Sequence, residues 1–179
     1  MFLGFGLVSL KAQDRLKGSY LGHFGIQPGI SLGFERAFTT WEKETKKKGP
    51  RISEFYSDVH LGYFSRLTYN SNFIVGPEVG LIAGKENKLY SRYFLSLNYM
   101  LQSEVLYRTV DLSVSVTHVE RENRHYTIPL IGYGIGKRFE NGLNWDLRIA
   151  GGLKFSSDFL NSGMLFLEFG LGYQLNKSE

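Results

Sequence analysis

The chain contains no cysteine. That excludes disulfide frameworks, thiol nucleophiles and thiolate metal sites. It has only 4 prolines and hardly a segment with helical periodicity. No stretch approaches the roughly 18 consecutive apolar residues of a membrane helix, which rules out helical spans. Membrane strands remain open, because about 9–11 alternating residues are enough for one. A strong charge imbalance is also missing: the net charge is +4 at 179 residues. Much of the basic excess sits in "WEKETKKKGPR", residues 41–51, rather than on a helix or an aromatic-studded sheet, so nucleic acid is not an expected partner. No internal linker divides the chain, so one domain over 13–179 is expected.

What the sequence has is glycine and aromatics: 21 Gly, 14 Phe and 11 Tyr. It also has period-two patterning. In "FGIQPGISLGFERAF", residues 24–38, Phe24, Ile26, Pro28, Ile30, Leu32 and Phe34 share one side. Gly25, Gln27, Gly29, Ser31, Gly33 and Glu35 share the other. Similar runs follow at about 53–66, 73–84, 89–101, 105–118, 126–138, 143–155 and 164–175, which makes eight strands. Short links ("TYNSN", "QSE", "ENG") are expected at one rim and longer ones (38–52, 84–88, 119–125, 156–163) at the other. That is the plan of an all-β, antiparallel up-and-down barrel with both termini at the short-turn rim. The opening "MFLGFGLVSLKA", residues 1–12, reads as the remnant of a signal peptide cleaved after Ala12, with an extra edge strand or an amphipathic N-terminal segment as the alternative.

Alternation alone fits two barrels. A lipocalin-like soluble barrel, binding apolar ligands, turns its apolar face inward; a transmembrane barrel turns it outward. Glycine recurs on the polar face, for example at Gly33, Gly62, Gly76, Gly132, Gly134, Gly136 and Gly170. A soluble exterior has little use for it there, since glycine weakens a strand and packs nothing. A narrow lumen needs it, because small residues must alternate with large ones. Both signs of charge share that face: Glu35, Glu54, Asp58, Glu78, Asp111, Asp146 and Glu168 against Arg92, Arg138, Arg148 and Lys154. Inside a barrel they are expected to form a network paired across neighbouring strands, with Glu78 and Arg92 as one pair. The apolar face carries Arg108 and Lys137, and aromatics such as Tyr63, Phe73, Tyr93, Tyr99, Phe139, Trp145, Phe155 and Tyr173 fall near strand ends as interfacial girdles.

The last strand, "EFGLGYQL", resembles the terminal assembly signal of bacterial outer-membrane barrels in Glu168, Gly170, Tyr173 and Leu175. Its final apolar position is Leu where the family usually has Phe, and "NKSE" follows. With the strand plan, the chain resembles the small eight-stranded outer-membrane proteins, the class of the OmpA transmembrane domain and OmpX. The resemblance implies a Gram-negative outer membrane, contact with its lipid and lipopolysaccharide, and a structural or interaction role with an envelope partner and no catalysis.

Some barrels of this kind modify lipid A, and the deacylases among them place His and Ser two apart on one strand face. His118 has Val116 and Glu120 at that spacing, and His60 has Asp58 and Gly62. Neither repeats the pattern; His125 and Ser115 could approach one another only through a loop. A metal at Glu54, Asp58 and His60 is weighed against a polar network, and the network is preferred. The glycine runs "GYGIG" and "GLGYQ" lie inside strands rather than at a strand-to-helix turn, so no nucleotide is expected there and no cofactor elsewhere. The candidate surface contact is Trp41, Lys43, Lys46, Lys47, Lys48 and Arg51, basic groups suited to lipopolysaccharide phosphates or an acidic partner beside a rim tryptophan, with a solvated hairpin tip as the alternative reading of the loop.

Overall fold

In the computed structural model, residues 8–9, 13–23, 27–43, 51–66, 69–85, 88–111, 116–156 and 162–175 are described. A two-residue strand, β1 (Val8–Ser9), precedes β2 (Gln13–His23), β3 (Gln27–Lys43), β4 (Arg51–Arg66) and β5 (Asn70–Gly84). Then come β6 (Leu89–Asp111), β7 (Val116–Arg138), β8 (Leu143–Lys154) and β9 (Ser162–Gln174). From β2 to β9 each strand pairs antiparallel with its chain neighbours, and β2 closes the ring on β9, with Leu16 opposite Tyr173 and Leu21 opposite Glu168. The result is an eight-stranded up-and-down barrel, β2 to β9. β1 continues the β2 edge, setting Val8 opposite Trp41.

The barrel has the eight strands expected in number, but one of them, β2, is not among those expected. β2 replaces the strand expected at 105–118. That stretch is the end of one long hairpin: Val105 to Asp111 extends β6, and Val116 to Arg124 opens β7. The "QSE" link is mid-strand, with Gln102 opposite Arg124, and the 119–125 loop lies within β7. Leu112 to Ser115, like Phe24 and Ile26, lie outside the described residues.

This shift reassigns the rims. The ends of β3 and β4 that flank 44–50, the β5–β6 link, the turn at 139–142 and both barrel ends, Gln13 and Gln174, share one rim, the terminal rim. The other rim holds the turn at Tyr69 and the β6–β7 hairpin. The "ENG" link is a tight turn there on the terminal rim: Gly142 takes φ 86°, which glycine tolerates, and the Leu143 N–H donates to Asn141 Oδ1 at 3.1 Å. Arg51 and Asn141 therefore sit on the same rim, contrary to the alternation of short and long links.

β6 has β5 beside it only as far as Glu104, opposite Asn70, and β7 has β8 beside it from Arg138 to Leu130. A lone bridge joins Thr127 to Phe155. Beyond these points, apart from the Val105 N–H donating to the Tyr69 carbonyl at 2.9 Å, the hairpin strands pair only with each other among the described residues, through a register shift at Val105–Tyr107. At ~3.3 Å per residue, Val105–Asp111 projects roughly 20 Å past its neighbour.

The apolar face points outward. Ile30 is 68% exposed, Leu97 56% and Leu171 60%, while Ser31, Asn98 and Gly172, one residue along from each, are buried in the lumen. Tyr63 stands opposite Phe73 toward the hairpin rim, whereas Leu143 opposite Tyr173 marks the terminal rim. Outward charge gathers near that rim: Asp14 accepts from Arg36 Nε at 2.6 Å, and Lys137 lies 5.1 Å from the Phe139 ring centre. Lys137 is thus a rim charge as expected; Arg108 belongs to the projecting hairpin at the opposite rim.

Candidate functional site

The lumen is filled in two tiers. Toward the terminal rim lies a charged tier, built from inward positions two apart on each strand: Arg15 and Lys17 on β2, Glu35 on β3, Glu54 and Asp58 on β4, and Glu78 on β5. Arg92 on β6, Arg138 on β7, Asp146 and Arg148 on β8 and Glu168 on β9 complete it. Toward the hairpin rim lies an apolar tier that includes Leu21, Phe64, Ile74, Met100, Ile128 and Phe166. His23 packs between the Phe64 and Phe166 rings, with centroids at 5.9 and 5.3 Å.

Most charges in the first tier are matched, and most matches cross the lumen instead of joining neighbouring strands. Arg15 bridges Glu35 at 2.6 Å and Glu54 at 2.8 Å. Arg138 grips Glu54 from the far side at 2.5 Å. Arg92 bonds Glu35 at 2.6 Å, approaches Asp146 at 3.6 Å and lies 4.6 Å from the Tyr56 ring centre. Lys17 reaches Asp146 at 2.9 Å. Arg148 holds both oxygens of Glu78 at 3.0 Å and also bonds Glu168.

The expected Glu78–Arg92 pair forms, but only as a long contact secondary to the other partners of each group. Register sets Glu78 opposite Ser96 and Arg92 opposite Ile82, and the two groups approach only to 3.9 Å. Glu78 belongs to Arg148 and to the Tyr56 hydroxyl, which donates to it at 2.7 Å. Burial of these charges costs desolvation, which pairing offsets only while each partner stays in place.

The structure brings Glu35, Asp58, Glu78, Arg92, Asp146, Arg148 and Glu168 together, all buried, with Arg138 half-buried at their rim. Lys154 stands apart at the hairpin rim, donating to Gln102 Oε1 at 2.6 Å and lying over the Tyr126 ring. The Asp111 side chain lies outside the described residues, as do Lys46, Lys47 and Lys48. Trp41 is half-buried, Lys43 ends β3, and Arg51 is exposed at the terminal rim. Arg15 and Lys17 join the network from β2, a strand whose sequence shows no clean apolar face. Their signal was two cations two apart, with Ser19 next on the same face.

Between the tiers a cavity of about 30 Å³ is lined by Ser31, His60, Glu78, Ser96, Arg148 and Glu168 among others. That is room for about one water molecule. A wider vestibule of about 370 Å³ opens at the terminal rim between Lys85, Lys88, Tyr90 and Arg138. His125 stands on the outer face, hydrogen-bonded to the Tyr99 hydroxyl, and Ser115 lies outside the described residues.

A closed ring of eight meandering strands, apolar without and packed with side chains within, has counterparts among solved structures. The N-terminal β-barrel domain of Pseudomonas aeruginosa OprF superposes with a TM-score of 0.53 at 10% identity, over 91% of this chain and 97% of that one. The fold is that of the small eight-stranded outer-membrane barrels. Ail, the attachment invasion locus protein of Yersinia pestis, gives 0.52 at 9% identity, over 92% and 97%. No protein-family model matches the sequence, and no curated protein matches it. What this chain shares with those barrels is thus the fold.

Proposed function

We propose that the protein is a non-catalytic barrel of a Gram-negative outer membrane, with a structural or interaction role and a lumen closed to solutes. The observation that carries this reading is the continuous apolar exterior wrapped around a filled interior. Apolar surface of that extent, exposed around the whole ring, is tolerated only against hydrocarbon or another protein. The wall meets lipid, and lipopolysaccharide covers the outer leaflet around it.

An even strand number leaves both ends on one rim, the side from which a barrel enters the membrane. The terminal rim then faces the periplasm, and the basic stretch ending at Arg51 serves an anionic partner there. The projecting β6–β7 hairpin faces outward. Beyond Glu104 and Thr127 its strands have no further strand beside them among the described residues, so their edges suit strand addition by an extended segment of a partner.

Cysteine labelling tests spanning and orientation together, on a background free of cysteine. Tyr69→Cys is expected to react with a membrane-impermeant thiol reagent on intact cells. Arg51→Cys and Asn141→Cys are expected to react only after the outer membrane is permeabilised. Equal labelling of all three on intact cells contradicts spanning; the reverse pattern inverts the barrel.

A further inference from the structure

Asp58 is the exception in the charged tier. Register places it directly between Glu35 on β3 and Glu78 on β5, so three carboxylates stand in a row across three adjacent strands. Like charges directly opposite one another are destabilising. Glu35 and Glu78 are relieved by arginines, but Asp58 is 1% exposed and neither of its oxygens has a hydrogen-bond partner. The tier holds one more carboxylate than it holds Lys and Arg. Two residues along the same face, His60 Nδ1 is also buried without a partner.

The Asp58, His60 and Glu78 donor atoms all lie within 4.8 Å of one another. Their capacity to bind can be counted. A carboxylate offers about four lone-pair sites. On Glu78, Arg148 uses one on each oxygen and Tyr56 a second on Oε1, which leaves one on Oε2. Asp58 keeps all of its own, and bare Gly33, whose Cβ would stand 3.0 Å from Asp58 Oδ1, leaves the carboxylate room. We propose that Asp58, His60 and Glu78 form a binding site for a divalent transition metal of the zinc class inside the lumen. An imidazole nitrogen with carboxylate oxygens is a donor set such ions take, and bonds of about 2.0–2.2 Å would draw the three donors closer together. The ion supplies the positive partner that Asp58, alone in this row of carboxylates, otherwise lacks. Loading accompanies folding, because the closed tiers leave a space of only about 30 Å³.

The full chain, refolded in detergent with Zn²⁺ or with chelator, tests the site. Zinc content after gel filtration is expected to be one equivalent for the zinc-refolded protein. Refolding with Co²⁺ is expected to give the visible absorption of a low-symmetry nitrogen and oxygen site. Asp58→Asn and His60→Gln, both close in shape to the native residues, are expected to retain at least ~10-fold less metal. His125→Gln, on the outer face, is expected to retain all of it. Absence of zinc and of the Co²⁺ spectrum in the unmutated protein overturns the proposal, whether or not the variants fold. Full retention by Asp58→Asn, or loss only in His125→Gln, overturns it too.

Discussion

Replacing Arg92 by methionine is expected to cost about 3–5 kcal/mol of barrel stability, the cost of stranding a buried charge. Arg92 is 2% exposed and stands between Glu35 and Asp146, so its loss leaves carboxylates facing an apolar thioether. The partner variant decides whether the effect is pairing. Glu35→Gln added to Arg92→Met is expected to restore ~1–3 kcal/mol, whereas Glu78→Gln in the same background restores little. The reason is distance and allegiance: Arg92 stands 2.6 Å from Glu35 but 3.9 Å from Glu78, which Arg148 already holds. Urea unfolding in detergent or lipid, followed by the faster gel migration of the unheated folded barrel, measures all four proteins. Equal recovery by both glutamine variants contradicts the assigned pairs.

Gly132→Ala is expected to destabilise by ~1–3 kcal/mol, the range for overpacking a filled interior. A Cβ at Gly132 falls 2.5 Å and 2.6 Å from Phe94 Cε2 and Cε1, and closer still to Cζ. The ring has no easy retreat, because Phe94 is 6% exposed and Arg148 lies 5.1 Å from its centre. Phe94→Leu removes the obstructing ring edge, so the double variant is expected to lose less than the sum of the two single losses. The same unfolding measurement checks it. Strict additivity would mean that glycine at 132 serves the backbone rather than the ring.

That glycine was readable as a lumen residue before the fold was known, and so was the outward turn of Ile30, Leu97 and Leu171. Both follow from strict period-two alternation, which a one-residue slip would reverse. β2 was harder to read because its alternation is impure. Gly18 and Gly22 stand on the outer side while Leu21 points inward, so no apolar face declares itself. The false link at Gln102-Ser103-Glu104 has the opposite cause. Polar residues there mark where β6 leaves the apolar band, and no Gly, Pro or Asn is present to make a turn.

The apolar tier was concealed by good neighbours. In Ile128-Pro129-Leu130-Ile131 both faces are apolar, so alternation cannot separate lumen from exterior. The charged residues could be assigned to a face, but not their partners. Arg92 meets Glu35 across the lumen, from β6 to β3, and only ring closure and strand tilt set that approach.

The central claim is that the outer face contacts hydrocarbon. Nitroxide labels on Ile30→Cys, Leu97→Cys and Leu167→Cys, in barrels reconstituted into phospholipid vesicles, report it directly through collision rates with molecular oxygen and with a water-soluble nickel chelate. All three residues are outward and at least 49% exposed. Oxygen concentrates in the bilayer interior and the chelate in water, so the account predicts high oxygen and low nickel accessibility at every one of the three positions. Dominant nickel accessibility at these positions would put the apolar face in water and contradict the account.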